Sequence, residues 1–199
     1  MTRPAPLARF VDALCDALIH SVHGAGAPLR LAQQVTDALR TEPGAKGGQP
    51  ALELPACKYL AQALGIARAT AKPVAALATA LDALAPTLSW RRRVKGSGDD
   101  PSFHDGHANA WIVAPDGLER RDDVIVGVSL LAPHTRYPLH QHPPREIYLV
   151  LSDGEWFNPD QGWYRPGIGA VVYHPEHMLH AMRAGDDPLL AVWCLRSGE

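Results

Sequence analysis

The chain has 199 residues, 46% of them hydrophobic and 20% charged, with a formal net charge of −2. That length allows one well-buried core with a helical appendage, and the composition excludes an intrinsically disordered chain. The charge balance leaves no electrostatic footprint for nucleic acid or an anionic membrane surface, so neither partner is expected. Cys15, Cys57 and Cys194 are odd in number and widely spaced, which argues against a zinc ribbon or a disulfide framework. Free thiols, an opening stretch without an apolar signal core and no run of membrane-spanning length make a cytoplasmic protein the expectation.

Residues 1–86 are rich in Ala and Leu. Leu7, Phe10, Val11, Leu14, Leu18 and Val22 recur at three- and four-residue spacing and predict a helix over 5–22, ended by Gly24 and Gly26. Leu31, Val35, Ala38 and Leu39 predict a second helix over 28–41. A loop follows at 44–50, then a third helix over 52–65 that stops at Gly65, and a fourth over 71–85 closed by Pro86. These first 86 residues carry eight Lys or Arg against six Asp or Glu, so they present no basic recognition face for DNA. A packing or dimerising role is expected instead, with the helices covering their own barrel or a neighbour's, as monomer or homodimer.

From about residue 87 the period changes. The short run Arg91-Arg92-Arg93 reads as a solvated linker. His107–Val113 alternates, Val124–Leu131 is β-branched, and Ile147–Leu151, Ala170–Tyr173 and Leu189–Leu195 are further strands. Turn signals at Pro115-Asp116-Gly117, Ser152-Asp153-Gly154, Asp160-Gln161-Gly162 and Gly185-Asp186-Asp187-Pro188 separate them. Short strands with regular turns indicate an all-β sandwich or barrel over 87–199.

The chemistry concentrates in Tyr137-Pro138-Leu139-His140-Gln141-His142-Pro143-Pro144-Arg145-Glu146-Ile147-Tyr148. Strand side chains alternate, so His140 and His142 share a face, as do Glu146 and Tyr148 beyond the Pro143-Pro144 bend. Two imidazoles and a carboxylate suit a divalent first-row metal. A third nitrogen ligand is on offer in the run Tyr173-His174-Pro175-Glu176-His177-Met178-Leu179-His180.

These residues resemble the cupin pattern, a small jelly-roll barrel with a central metal. The first cupin motif, G-x(5)-H-x-H-x(3,4)-E-x(6)-G, matches as His140, His142 and Glu146, with Gly154 one residue late and His134 where the opening glycine belongs. The second, P-x-G-x(2)-H, matches as Pro175 to His180, with His177 in place of the glycine. The resemblance implies His180 as the last metal ligand. Tyr137 and Tyr148, with the helical first half, make the chain similar to the cupin-type dimethylsulfoniopropionate lyases of the DddQ type. The implied fold is mostly β with an α-helical N-terminal part, a cupin barrel over 87–199 preceded by about four helices over 1–86.

The resemblance further implies a metal-dependent carbon–sulfur lyase acting on a small molecule by β-elimination. One divalent ion (zinc, iron, manganese, cobalt or nickel) would sit on His140, His142, Glu146 and His180 and bind the substrate carboxylate. Tyr148 is the candidate general base, its phenol acidified by the nearby dication. Tyr137 is a candidate for orienting substrate or for a second acid–base role. Trp111 and Trp193 are candidates for facing the sulfonium, or are plain core. His134, His174 and His177 are candidates for orienting ligands, or are surface residues. Trp156, Phe157 and Trp163 fall in a hairpin that closes the barrel mouth or packs on the helices. A cupin dioxygenase with the same ligands and a non-catalytic small-molecule binder are the other readings the motifs allow.

Overall fold

The computed structural model of the protein describes residues 2–93 and 101–196, so the predicted second region extends beyond the described residues at 94–100 and 197–199. Four long helices come first: α1 (Ala5–Ser21), α2 (Ala27–Arg40), α3 (Leu60–Arg68) and α4 (Val74–Leu84), followed by the short α5 (Pro101–Gly106). The strands are β1 (Ala45–Lys46), β2 (Trp90–Arg91), β3 (His107–Val113), β4 (Glu119–Arg120), β5 (Val124–Leu131), β6 (Arg136–His140), β7 (Arg145–Val150), β8 (Glu155–Asn158), β9 (Gly162–Tyr164), β10 (Val171–His174), β11 (His180–Arg183) and β12 (Leu189–Arg196).

The first two helices form as their periodicity predicts, each with a proline in its first turn, where the missing N–H costs no hydrogen bond. The third differs. Pro55–Tyr59 forms a 3-10 turn, and α3 then runs through Gly65 to Arg68. Gly65 does not stop it because Ala63, Leu64 and Ala67 lie buried on either side of that glycine, and their burial outweighs the roughly 1 kcal/mol a mid-helix glycine costs.

The strands form two sheets rather than one closed barrel. One has the order β1-β4-β3-β5-β12-β7-β10 with β2 paired to β3; the other has the order β6-β11-β8-β9. Among the described strands no ladder joins the two. The chain passes between them at 141–144, where Pro143 and Pro144 have no N–H to offer a ladder.

Two cores result, one on each face of the large sheet. Ile147, Leu149, Leu190, Val192 and Cys194 join Phe10, Leu14, Leu31, Leu39 and Leu81 of the helices. Their strand neighbours Tyr148, Val150, Ala191 and Trp193 turn the other way and join Tyr137, Trp156 and Met182 between the sheets. β7 and β12 therefore read as unbroken apolar runs, as expected of strands buried on both faces. The helices cap the outer face of the sheet and leave its inner face for the site.

One glycine shapes that inner face. Gly127 lies across the ladder from Trp193, and a Cβ there would sit 2.2 Å from the indole Cζ2. The tryptophan lies over the space a side chain would fill. Gly127→Val is expected to swing Trp193 into the cleft; a shifted Trp fluorescence maximum together with a raised KM would show it, and an unchanged KM would exclude the effect.

Candidate active site

Three rungs of side chains cross the inner face of the large sheet in register. Glu146 on β7 pairs with Leu195 and His174; Tyr148 pairs with Trp193 and Val172; Asn109 on β3 pairs with Ser129 on β5. The small sheet supplies a matching pair, because His140 on β6 stands directly opposite His180 on β11. His142 lies just beyond β6, at the crossing between the sheets. The histidines and Glu146 meet because two ladders and one Pro-rich crossing converge at this point.

The ring orientations suit a metal ion. Nδ1 of His140, of His142 and of His180 donates to the backbone carbonyl of Pro138 (2.9 Å), Pro144 (3.0 Å) and Met178 (2.7 Å) respectively. That fixes each ring and leaves its Nε2 for the centre, the arrangement in which an imidazole serves as a ligand. One nitrogen from each of His140, His142 and His180 lies within 4.8 Å of the others, and Glu146, His174 and His180 form an equally tight buried group. Glu146 Oε2 lies 2.9 Å from His142 Nε2 and 3.3 Å from His180 Nε2. His180 Nε2 is buried and makes no hydrogen bond within the protein. Nitrogen donors, a carboxylate and an unsatisfied buried nitrogen together fit a divalent transition ion.

The electrostatics follow from burial. Desolvation, then the neighbouring His180, pull His140 down to about 3, so it stays neutral. Burial pulls on His142 too, but its hydrogen bond to Glu146 outweighs this and raises it above the ordinary value. Burial would push Glu146 up; the hydrogen bond from His142 and the adjacent His174 and His180 instead hold it well below the usual carboxylate range. Tyr148 is driven well above an ordinary phenol by burial first, and then by the negative potential of Glu146 and by Tyr137.

Beside the ligand set opens a cleft of about 490 Å³, lined by His140, His142, Glu146, both tyrosines and both predicted tryptophans. Tyr148 packs edge-on against Trp156 at 4.6 Å, and Tyr137 lies tilted against His140 at 4.8 Å. The two predicted tryptophans are not equivalent. Trp193 is 8% exposed, whereas Trp111 is 38% exposed at the rim with the Arg91 guanidinium 4.9 Å over its ring.

Several expectations change here. The Arg91-Arg92-Arg93 run is no solvated linker: all three side chains line the cleft, and Arg93 lies 5.3 Å over the Tyr137 ring. Nothing local in the sequence signals this, since the pairing of β2 with β3 brings them there. His134 and His177 do not reach the ligands through their side chains. His134 is 73% exposed beside Asp186, and His177 is exposed. Both hold left-handed backbone (φ 59° and 58°) at the two motif positions where a glycine is usual. His177 contributes through its backbone, its N–H donating to the carbonyl of His142. His174, in contrast, is fully buried, stacked on His180 at 4.0 Å, with Nδ1 3.7 Å from Glu146. Of the hairpin aromatics only Trp156 enters the inter-sheet core; Phe157 packs on Trp163, which lies against Arg136 and Arg183.

Comparison with known proteins adds the following. Residues 27–191 match the dimethylsulfoniopropionate (DMSP) lyase family. The chain is 31% identical over 124 residues to dimethylsulfoniopropionate lyase DddQ of Ruegeria pomeroyi strain DSS-3, an alignment covering 62% of each chain and so less than two thirds of that relative's length. The crystal structure of DMSP lyase DddQ from Ruegeria pomeroyi DSS-3 superposes with a TM-score of 0.71 at 24% identity, covering 98% of this chain and 93% of that one. A chain from crystal structures of DMSP lyases RdDddP and RnDddQII superposes with a TM-score of 0.74 at 22% identity, with the same coverage. At these identities the two superpositions establish a shared fold. Among the described residues no helix is long and apolar enough to cross a membrane.

Proposed function

The chain belongs to the dimethylsulfoniopropionate lyase family, and on that premise we propose that it is a metal-dependent carbon–sulfur lyase that splits DMSP into dimethyl sulfide and acrylate. The two facing sheets are then a cupin jelly roll, and the protein a cytoplasmic enzyme acting on a small molecule, a setting its three free cysteines suit. One observation carries the reading. Tyr148 stands one rung from Glu146 and directly across the ladder from Trp193, all three on the wall of one cleft. A base, a carboxylate-binding centre and an aromatic face are what elimination of a β-sulfonium carboxylate needs.

A divalent ion held by His140, His142, Glu146 and His180 would polarise the substrate carboxylate and offset the burial that keeps Tyr148 protonated. Tyr148, as phenolate, takes a proton from the carbon next to that carboxylate. The electron pair of that C–H bond becomes the carbon–carbon double bond, and the C–S bond breaks with its pair staying on sulfur. Dimethyl sulfide leaves neutral, acrylate keeps the negative charge, and the proton remains on Tyr148 until solvent removes it. Tyr137 holds or orients the substrate from the opposite sheet. The cationic sulfonium faces Trp193, because Arg91 already occupies a face of Trp111. The arginines at the rim draw in the carboxylate end.

Purified protein loaded in turn with zinc, iron(II), manganese, cobalt and nickel is expected to release dimethyl sulfide from DMSP into the headspace, with acrylate in equal amount and no oxygen uptake. No dimethyl sulfide with any of these metals would sink the proposal; oxygen consumption would favour the dioxygenase reading.

A further inference from the structure

We propose that His174 is a fifth protein ligand to the metal ion, beside His140, His142, Glu146 and His180, so that the centre carries five donors and keeps one position for the substrate carboxylate. This rests on the metal-dependent reading of the site. His174 is the last residue of β10 and stands directly across the ladder from Glu146 on β7. It is 0% exposed, and neither of its ring nitrogens has a hydrogen-bond partner among the described residues. Such an imidazole is unusual in a folded core, where nearly all buried polar atoms are paired. Burying a polar group without a partner is unfavourable unless another bond compensates, and coordination to a metal is such a bond.

The geometry locates that bond. His174 stacks on His180, with ring centroids 4.0 Å apart and planes inclined by 25°. The stacked pair brings one nitrogen from each ring to the same carboxylate oxygen: Glu146 Oε2 lies 3.3 Å from His180 Nε2 and 3.7 Å from His174 Nδ1. The longer contact exceeds a hydrogen bond. It suits two donors on one ion, because donors each about 2.1 Å from a metal lie between roughly 3 Å apart at a right angle and roughly 4 Å apart when opposite. Donor atoms of Glu146, His174 and His180 all lie within 4.8 Å of one another, and His180 belongs to the His140–His142 group as well. The 2.9 Å contact of Glu146 with His142 ties the two groups into one set of five. Nδ1 is as competent a ligand as Nε2. Five donors favour an ion that takes six, so manganese, iron(II), cobalt and nickel suit this centre better than zinc, for which four donors are the rule.

The test counts imidazoles on bound cobalt(II) and needs no turnover. Each ligating histidine of the wild type should give one strongly contact-shifted, solvent-exchangeable ring N–H signal in the proton NMR spectrum, from His140, His142, His174 and His180 alike. His174→Phe keeps an aromatic ring against His180 but removes both nitrogens, so one of these signals should disappear. The visible absorption of the bound cobalt should strengthen in the variant as its coordination number falls, and the cobalt-to-zinc affinity ratio should move toward zinc by about tenfold or more. Affinity by itself does not separate a ligand from a residue that only orients one, since losing the latter already weakens binding by about 10- to 100-fold; the signal count does. Three shifted signals in the wild type, or a spectrum that His174→Phe leaves unmoved, would overturn the proposal, and the wild-type count decides it even if the variant does not fold. Four signals without release of dimethyl sulfide would sink the lyase reading and leave His174 a ligand. A wild type that takes up no cobalt would overturn both.

Discussion

Tyr148→Phe is expected to lower kcat for DMSP cleavage by about 10²- to 10⁴-fold while leaving one metal ion per chain. The substitution removes one oxygen from a side chain that is 3% exposed and keeps its ring against Trp156. Packing loss is therefore small, and melting temperature should shift little. The oxygen is the only group on its rung that can take a proton: Trp193 and Val172 flank Tyr148 in the ladder, and neither is a base. Metal content by elemental analysis and turnover by headspace chromatography separate the two roles of the site. Turnover within tenfold of wild type would move the base assignment elsewhere, with Tyr137 the first alternative. Loss of the metal along with activity would instead make Tyr148 a ligand.

Glu146→Gln is expected to weaken metal binding by more than about 100-fold, since loss of a mere partner of a ligand already costs 10- to 100-fold. Glu146 is 3% exposed, and it touches His142 and His180 from the opposite sheet or its connection. The neutral amide removes the charge that balances a dication. Binding at about 100 times Kd should raise the wild-type melting temperature by about 5–10 °C; the variant should show almost none of this rise at the same metal concentration. Binding should also weaken toward acid pH. Glu146 holds His142 above its ordinary value, so His142 must release a proton before its Nε2 can serve as a ligand, and that release becomes harder as pH falls. An undiminished thermal shift in Glu146→Gln would remove Glu146 from the ligand set.

Much of this site is legible before any coordinates. His140, His142, Glu146 and Tyr148 lie within nine consecutive residues, and strand alternation alone puts each pair on one face. The helices α1, α2 and α4 declare themselves because their apolar residues repeat at helical spacing and proline or glycine bounds them. The motif glycines were harder. His134 and His177 are chemically suggestive as histidines, yet what their positions demand is left-handed backbone, which a sequence displays only when the residue is glycine.

The remainder depends on strands meeting across long stretches of chain. Residue order specifies which side chains share a strand face, because alternation is a property of one strand. It does not specify which strand lies opposite. The β6–β11 ladder sets His180 against His140, the β7–β10 ladder sets His174 against Glu146, and the β2–β3 pair turns an arginine run into a cleft wall. Asn109 and Ser129, twenty residues apart, become hydrogen-bonded neighbours only through the β3–β5 register. The order of residues supplies the available chemistry, a histidine–carboxylate cluster with two tyrosines. Which side chains converge on it depends on strand pairing, because register between distant strands is settled by burial on both faces of the large sheet rather than by any local run of residues.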